Sequence, residues 1–287
     1  MSKPLDPRRH VCRADLAAEH LRGTVEAERY VTGERRQVAA PSLPLRREPR
    51  FDAPLDTETL HGETVTVYEE QEGWAWVQLE HDNYVGYIPA GGLAPVATTS
   101  PTHRVSVLRT YIFPEPDSKT PPLAMLSLNA RLTVAEKAGR YLRLANGGYV
   151  YAAHVMPLGQ HAADFVAVAE SFLGTPYLWG GRTSVGLDCS GLVQLAAAAA
   201  GHAVPRDADM QAKEAGEPVE WHEGGALARG DLVFWEGHVG IMASAEAFIH
   251  ANAHHMAVEI EPLRQAKDRI KRAAGYRITG VRHLPRR

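Results

Sequence analysis

The chain has 287 residues, 45% of them apolar and 23% charged, with 31 Lys and Arg against 34 Asp and Glu for a formal net charge of −3. That composition supports packed cores, excludes wholesale disorder and offers no broad basic field, so no nucleic-acid partner is expected. At roughly 150 residues per domain, the length suits about two domains or a few smaller ones.

The opening stretch, MSKPLDPRRHVC, is polar and charged and lacks the apolar core of a secretion signal. The longest apolar run, Leu195 to Ala200, is far too short to cross about 30 Å of hydrocarbon. The expectation is a cytoplasmic chain with no membrane partner. Of its two cysteines, Cys12 and Cys189, a lone disulfide is possible but hardly needed at this size. The more informative reading is a single internal thiol kept free for chemistry.

Residues 1–49 are charged and punctuated by proline, with one helical candidate from Ala14 to Leu21; they read as an arm that packs on something else. From Arg50 short alternating runs begin. Val65 and Val67 alternate with Thr64 and Thr66, Gly73 breaks the pattern, and Trp74, Trp76 and Leu79 follow. Asp82-Asn83 signals a turn before Tyr84–Ile88, and Pro89 stops the run. Short β-rich runs at this spacing predict a small barrel over residues 50–96.

The pattern returns weakly. LTVAEKAGRYLRLANGGYVYAAHV, from Leu132 to Val155, aligns with VTVYEEQEGWAWVQLEHDNYVGYI, from Val65 to Ile88, and Asn146-Gly147 takes the hairpin place of Asp82-Asn83. A second module over residues 97–158 is therefore predicted, behind the short linker VATTSPTH.

Residues 159–287 have a different order. Phe165, Val168, Phe172 and Leu173 recur at helical spacing over 162–173, ended by Gly174 and Pro176. A glycine-rich loop at Trp179-Gly180-Gly181 precedes SGLVQLAAAAAG, an Ala-rich helix with Gly201 as its C-terminal cap. The predicted strands are Asp231–Trp235, Val239–Met242, Ala247–His250, Ala257–Ile260 and Arg277–Val281. Helices followed by a run of strands predict an α+β domain.

Cys189 follows Asp188 and opens the Ala-rich helix. Unpaired backbone N–H groups and the dipole there favour an anion, so the thiol is expected to ionise readily and act as a nucleophile. On the cysteine alone, an inert buried side chain is the commoner fate. His238, at the start of an apolar strand, and His250, at the end of another, change the balance, because a thiol on a helix tip with an imidazole on a nearby strand is a nucleophile–base pairing. The base needs a further polar group to fix its tautomer, and His250 could supply it. Metal binding by His250, His254, His255 and Cys189 is the competing chemistry. The chain lacks Cys-x-x-Cys and His-Glu-x-x-His, so no metal and no cofactor are expected, with His254 and His255 facing solvent.

TPYLWGGRTSVGLDCSGLVQ, VPRDADMQ, ARGDLVFW, GHVGIM and FIHA, running from Thr175 to Ala251, resemble the NlpC/P60 family of cysteine peptidases. The resemblance implies a papain-like domain with Cys189 as nucleophile, His238 as general base and His250 as the residue orienting it. The upstream modules resemble bacterial SH3-like domains, which implies two small SH3-like β-barrels before the peptidase. The whole arrangement is similar to γ-D-glutamyl-L-diamino acid endopeptidases of the dipeptidyl-peptidase VI type.

That subgroup implies a murein-derived peptide with a free N-terminal L-Ala as substrate and L-Ala-γ-D-Glu as product. LHGETV and DNYVGY then nominate Glu63 and Tyr84 for the free amine, and Tyr177, Asp188, Ser190, Arg206 and Asp207 fall on positions lining the cleft. Two other readings use the same residues. One is a thiol amidase or acyltransferase acting on a different amide; the other is a non-catalytic protein that binds wall peptides.

Overall fold

A computed structural model describes residues 5–285. The chain divides into two compact units, Met1–Pro157 and Leu158–Arg287. Among the described residues no helix is long and apolar enough to cross a membrane.

The described residues up to 46 are not an arm. Glu34–Val38 and Ser42–Arg46 enter a seven-stranded sheet ordered 55–60, 42–46, 85–89, 74–79, 64–71, 34–38, 93–95. In 42–46 the cause is an alternation hidden among Pro and Arg, with Leu43 and Leu45 buried; in 34–38 Val38 alone is buried, and Arg35 and Arg36 pair with Glu80 and Glu34. The expected helix at 14–21 is instead the strand Leu16–Ala18, paired in parallel with Arg29–Val31, and one 3-10 turn. Leu16, Ala17 and Ala18 are all buried, so this segment has no polar face for a surface helix to present.

Val11, Leu16, Ala18 and Leu21 pack with Trp76 and Val85. Arg13 fastens the segment: its guanidinium lies 4.2 Å from the Trp76 ring centre and donates to Tyr87 Oη at 2.7 Å and Glu69 Oε2 at 2.6 Å.

Residues 103–157 repeat the strand order of the first module. The sheet 124–127, 109–113, 149–151, 141–144, 134–138 answers 55–60, 42–46, 85–89, 74–79, 64–71. Each copy shifts register at the same aligned place, between Val67 and Glu69 and between Val134 and Glu136. The turn before the aligned strand is left-handed in both, at Gly62 (φ 77°) and Asn129 (φ 68°). Gly62 meets the other module: a Cβ there would lie 2.2 Å from the Arg131 carbonyl oxygen, and the Arg131 N–H donates to the His61 carbonyl at 2.8 Å.

The C-terminal unit holds helices α1 (Phe165–Glu170), α2 (Cys189–Ala199), α3 (Ala208–Glu214) and α4 (Leu263–Ala274). Beside a short pair, Arg182–Thr183 with Gly186–Leu187, its main strands are β1 (Glu217–Val219), β2 (Asp231–Trp235), β3 (His238–Met242), β4 (Ala247–Asn252), β5 (Ala257–Pro262) and β6 (Gly280–His283). They form one antiparallel sheet ordered β1-β6-β2-β3-β4-β5. The last strand begins three residues later than expected, because α4 and the left-handed Gly275 that caps it use the preceding chain. Val233, Trp235, Met242 and Phe248 pack with Ala266 of α4, and α2 packs against β3 and β4. Three helices come first and α4 falls between β5 and β6, with one antiparallel sheet packed against the helix that begins at Cys189: the domain is α+β.

Candidate active site

Cys189 is the first residue of α2, and Asp188 is its N-cap. Asp188 Oδ1 accepts from Gly191 N at 2.7 Å and Oδ2 from Gly180 N at 2.9 Å, which ties the helix start to the glycine-rich loop. Gly191 is required by that closeness, since a Cβ there would stand 2.4 Å from the Gly181 carbonyl oxygen.

Arg206, 1% exposed, completes the bracket. It donates from Nη1 to Asp188 Oδ1 (2.9 Å) and Ser190 Oγ (2.8 Å), and from Nη2 to Asp188 Oδ2 (2.7 Å) and Gly181 O (3.3 Å). Asp188, Ser190 and Arg206, expected to line a cleft, thus bond one another beneath the helix tip. Asp207 is half-buried at the start of α3.

His238 opens β3 and His250 lies on β4, fully buried. His238 Nε2 and His250 Nδ1 are 2.8 Å apart, and His250 Nε2 is 2.9 Å from Glu261 Oε1 on β5. Arg269 of α4 grips both oxygens of that carboxylate, with Nη1 2.6 Å from Oε2 and Nη2 on Oε1. Four side chains from four successive elements therefore form one chain. Gly240 leaves the space for it, because a Cβ there would lie 2.3 Å from Phe248 and 2.8 Å from the His250 Cβ.

The Cys189 sulfur receives the backbone N–H groups of Ser190 and of Val239, the residue after His238. Tyr177 is half-buried close enough for the charges of Cys189 and Asp188 to act on its hydroxyl; burial first, then those charges, raise its pKa. The sequence led us to expect an acidic thiol, and here the structure corrects it. Burial, followed by the Asp188 charge, pushes the Cys189 thiol up to about 12, against the two amides and Arg206. Burial likewise pushes His238 down to about 3, with His250 and Arg269 adding to the effect. The helix dipole favours the thiolate, but desolvation outweighs it. The resting pair is a neutral thiol and a neutral imidazole.

Glu63 and Tyr84 lie in the N-terminal unit, both 4% exposed. Glu63 Oε2 accepts from Leu60 N at 2.9 Å, and its Oε1 is 3.8 Å from His81 Nδ1. His81 Nε2 is 3.1 Å from Asp82 Oδ2, and Asp82 Oδ1 accepts from Tyr84 N at 3.0 Å. Glu63 is thus part of a buried polar cluster rather than of a solvated strand.

Sequence reasoning missed Glu261, Arg269 and His81. The adjacency of His81 to Asp82 was a usable signal; Glu261 and Glu259 share a strand parity, and nothing in the spacing distinguishes the buried one. His250, His255 and Glu261 place donor atoms within 4.8 Å of one another. Both His250 nitrogens and both Glu261 oxygens are already engaged there. His254 and His255 are exposed, and both cysteines are free thiols.

Residues 174–272 match the NlpC/P60 family, and residues 45–93 match the bacterial dipeptidyl-peptidase SH3 domain. The chain is 28% identical over 232 residues to a gamma-D-glutamyl-L-lysine dipeptidyl-peptidase of Bacillus subtilis (strain 168), covering 73% of this chain and 76% of that protein. It is 26% identical over 260 residues to dipeptidyl-peptidase 6 of Lysinibacillus sphaericus, covering 83% and 94%. The crystal structure of an NlpC/P60 family protein from Bacillus cereus ATCC 10987 superposes with a TM-score of 0.73 at 23% identity, over 88% of this chain and all of that one. The two share a fold.

Proposed function

The chain carries an NlpC/P60 cysteine peptidase domain behind an SH3 domain of the bacterial dipeptidyl-peptidase type, and on that premise we propose that it hydrolyses the γ-D-glutamyl–diamino acid bond of murein peptides with a free N-terminal L-Ala. The product would be L-Ala-γ-D-Glu, in cytoplasmic recycling of wall peptides. The observation that carries the reading is the Cys189 sulfur at the tip of α2, touched by the amide next to His238, with His250 held behind that imidazole. The printed names of the Bacillus subtilis and Lysinibacillus sphaericus relatives favour the same reaction class.

In this mechanism the Cys189 proton passes to His238 as sulfur attacks the γ-carbonyl, so no resting thiolate is needed. The Cys189 backbone N–H at the start of α2 receives the oxyanion, such a donor contributing about 3 kcal/mol in well-studied hydrolases. His238 returns its proton to the departing amine and the C–N bond breaks, leaving a thioester. Water, deprotonated by His238, then cleaves the thioester, which frees the dipeptide acid and restores the thiol. The Tyr177 hydroxyl lies near enough to feel the charges of Cys189 and Asp188, while Asp188, Ser190 and Arg206 hold the helix tip that presents the sulfur; Asp207 follows Arg206 at the start of α3.

Glu63 takes the substrate ammonium, with Tyr84 beside it. The support is a carboxylate already withdrawn from water, which strengthens its preference for a charged partner and penalises substrates lacking one. The test is mass-spectrometric analysis of products from L-Ala-γ-D-Glu-L-Lys and L-Ala-γ-D-Glu-meso-diaminopimelate, each with a free and an acetylated amine. Release of L-Ala-γ-D-Glu from the free-amine peptides alone is expected. Equal cleavage of both forms would remove the role of Glu63, and intact peptides throughout would remove the reaction itself.

A further inference from the structure

Each imidazole of the pair carries one ring proton when neutral, and the geometry decides where both protons sit. Glu261 is the fixed end of the chain. Burial works against its charge, yet the Arg269 fork and His250 outweigh burial and hold the carboxyl at about 2. An ionised carboxylate only accepts hydrogen bonds. His250 must therefore carry its proton on Nε2, to donate across the 2.9 Å to Glu261 Oε1.

That choice leaves His250 Nδ1 with a bare lone pair, which faces His238 Nε2 at 2.8 Å. His238 must then carry its own proton on Nε2. The one nitrogen of His238 left able to accept the thiol proton is Nδ1.

We infer that Glu261, held by Arg269, is a positioning residue that sets the tautomers of both histidines and so creates the basic nitrogen of His238. The role deepens the peptidase reading and rests on it for its kinetic part. The groups facing His250 are His238 from β3, Glu261 from β5, Arg269 from α4 and His255 from the loop between β4 and β5. Glu261 alone among them is an obligate acceptor.

Arg269 has two effects. It keeps the carboxylate charged, and by gripping both oxygens it fixes the group so that Oε1 also faces His250. When His238 becomes an imidazolium during turnover, the negative end of the chain lies one imidazole away and favours that charge.

The discriminating substitution is Glu261→Gln. Arg269 reaches both carboxylate oxygens and shares Oε1 with His250, so an amide with one accepting oxygen cannot serve them all; the Nε2–H tautomers are no longer enforced and the His238 proton is free to sit on Nδ1. In a serine hydrolase, a comparable carboxylate-to-amide change that enforces the wrong tautomer lowers kcat about 10⁴-fold. Here the carboxylate is one imidazole further from the nucleophile, so a loss of about 100-fold in kcat is expected, with KM within about threefold.

Arg269→Met should leave kcat near neutral pH within about tenfold and raise the acid limb of kcat/KM; Arg269→Lys should return that limb most of the way. A merely structural role for the pair would lower thermal stability without moving that limb. The spectroscopic readout is the ¹⁵N shifts of His-labelled full-length protein, which report the protonated nitrogen of each ring independently of any substrate.

Wild type with Nε2–H on both rings, and Glu261→Gln with that pattern lost and kcat reduced, supports the assignment. Wild type with a bare His250 Nε2, or Glu261→Gln turning over at the wild-type rate, overturns it. If Glu261→Gln does not fold, the wild-type spectrum alone decides. Wild type inert toward every peptide but carrying the stated tautomers would refute the peptide reading and leave the positioning role standing.

Discussion

Replacing Arg206 by Met should be among the most destabilising single changes in the C-terminal unit. The guanidinium is 1% exposed and makes four hydrogen bonds, three of them to the Asp188 carboxylate and Ser190 and one to the Gly181 carbonyl. Methionine fills much of the volume, so the dominant loss is electrostatic: the Asp188 charge stays buried without its counter-ion. Removing one partner of such a pair costs about 3–5 kcal/mol. Asp188 keeps the amides of Gly180 and Gly191, which offset part of that, so the lower end, about 3 kcal/mol, is the figure to expect. At about 3–6 °C per kcal/mol for a unit of this size, its melting transition should fall by about 10–15 °C. Calorimetry of the full chain reads this directly, and Arg206→Met with Asp188→Asn should recover part of the loss, because the stranded charge is gone. A variant melting within about 2 °C of wild type while KM rises tenfold would refute the reasoning and make Arg206 a substrate ligand.

Cys189→Ala should abolish turnover while leaving melting within about 3 °C, measured by product release and calorimetry; surviving activity would refute the nucleophile. Acidification should destabilise the C-terminal unit. His238 titrates near 6.5 when unfolded and about 3 when folded, so the unfolded state binds the extra proton between those values and stability falls as pH drops through them. The slope is about 1.4 kcal/mol per pH unit from His238, with Glu261 adding below 4.5, and a flat melting temperature between pH 7.5 and 5.5 would contradict it. Gly240→Ala should cost about 1–3 kcal/mol by overpacking and lower kcat as well, because the new methyl strikes Phe248 and the His250 Cβ; unchanged kinetics would show that His250 needs no such fit.

The parts of the site legible in the sequence were those carried by contiguous residues. Asp188 and Cys189 stand at a helix start that the Ala-rich run announces, His238 opens a strongly apolar strand, and His250 lies within the next. What was illegible is carried by contact between elements. Arg269 lies on α4, whose apolar stripe is only Leu263, Ala266 and Ile270 among many charges, and the helix went unseen. Without it, nothing separated Glu261 from its exposed neighbour Glu259. The acidity of the thiol was misjudged for a related reason: a helix start is visible in sequence, but the depth at which the fold buries it is not. The strand at 42–46 was hidden because its inward leucines alternate with Pro and Arg, and that at 34–38 because Val38 is its one buried residue behind a charged run, which mimics a solvated tail.

The glycine at position 62 is not explained by its turn, because Asn129 makes the same left-handed turn in the other copy. It is explained by the Arg131 carbonyl lying where a methyl would go. Main chain meets main chain at that joint, so the gearing between the twin modules is written into the backbone. Surface substitutions on either module leave that gearing alone, whereas one added carbon at residue 62 would act as a wedge and pry them apart.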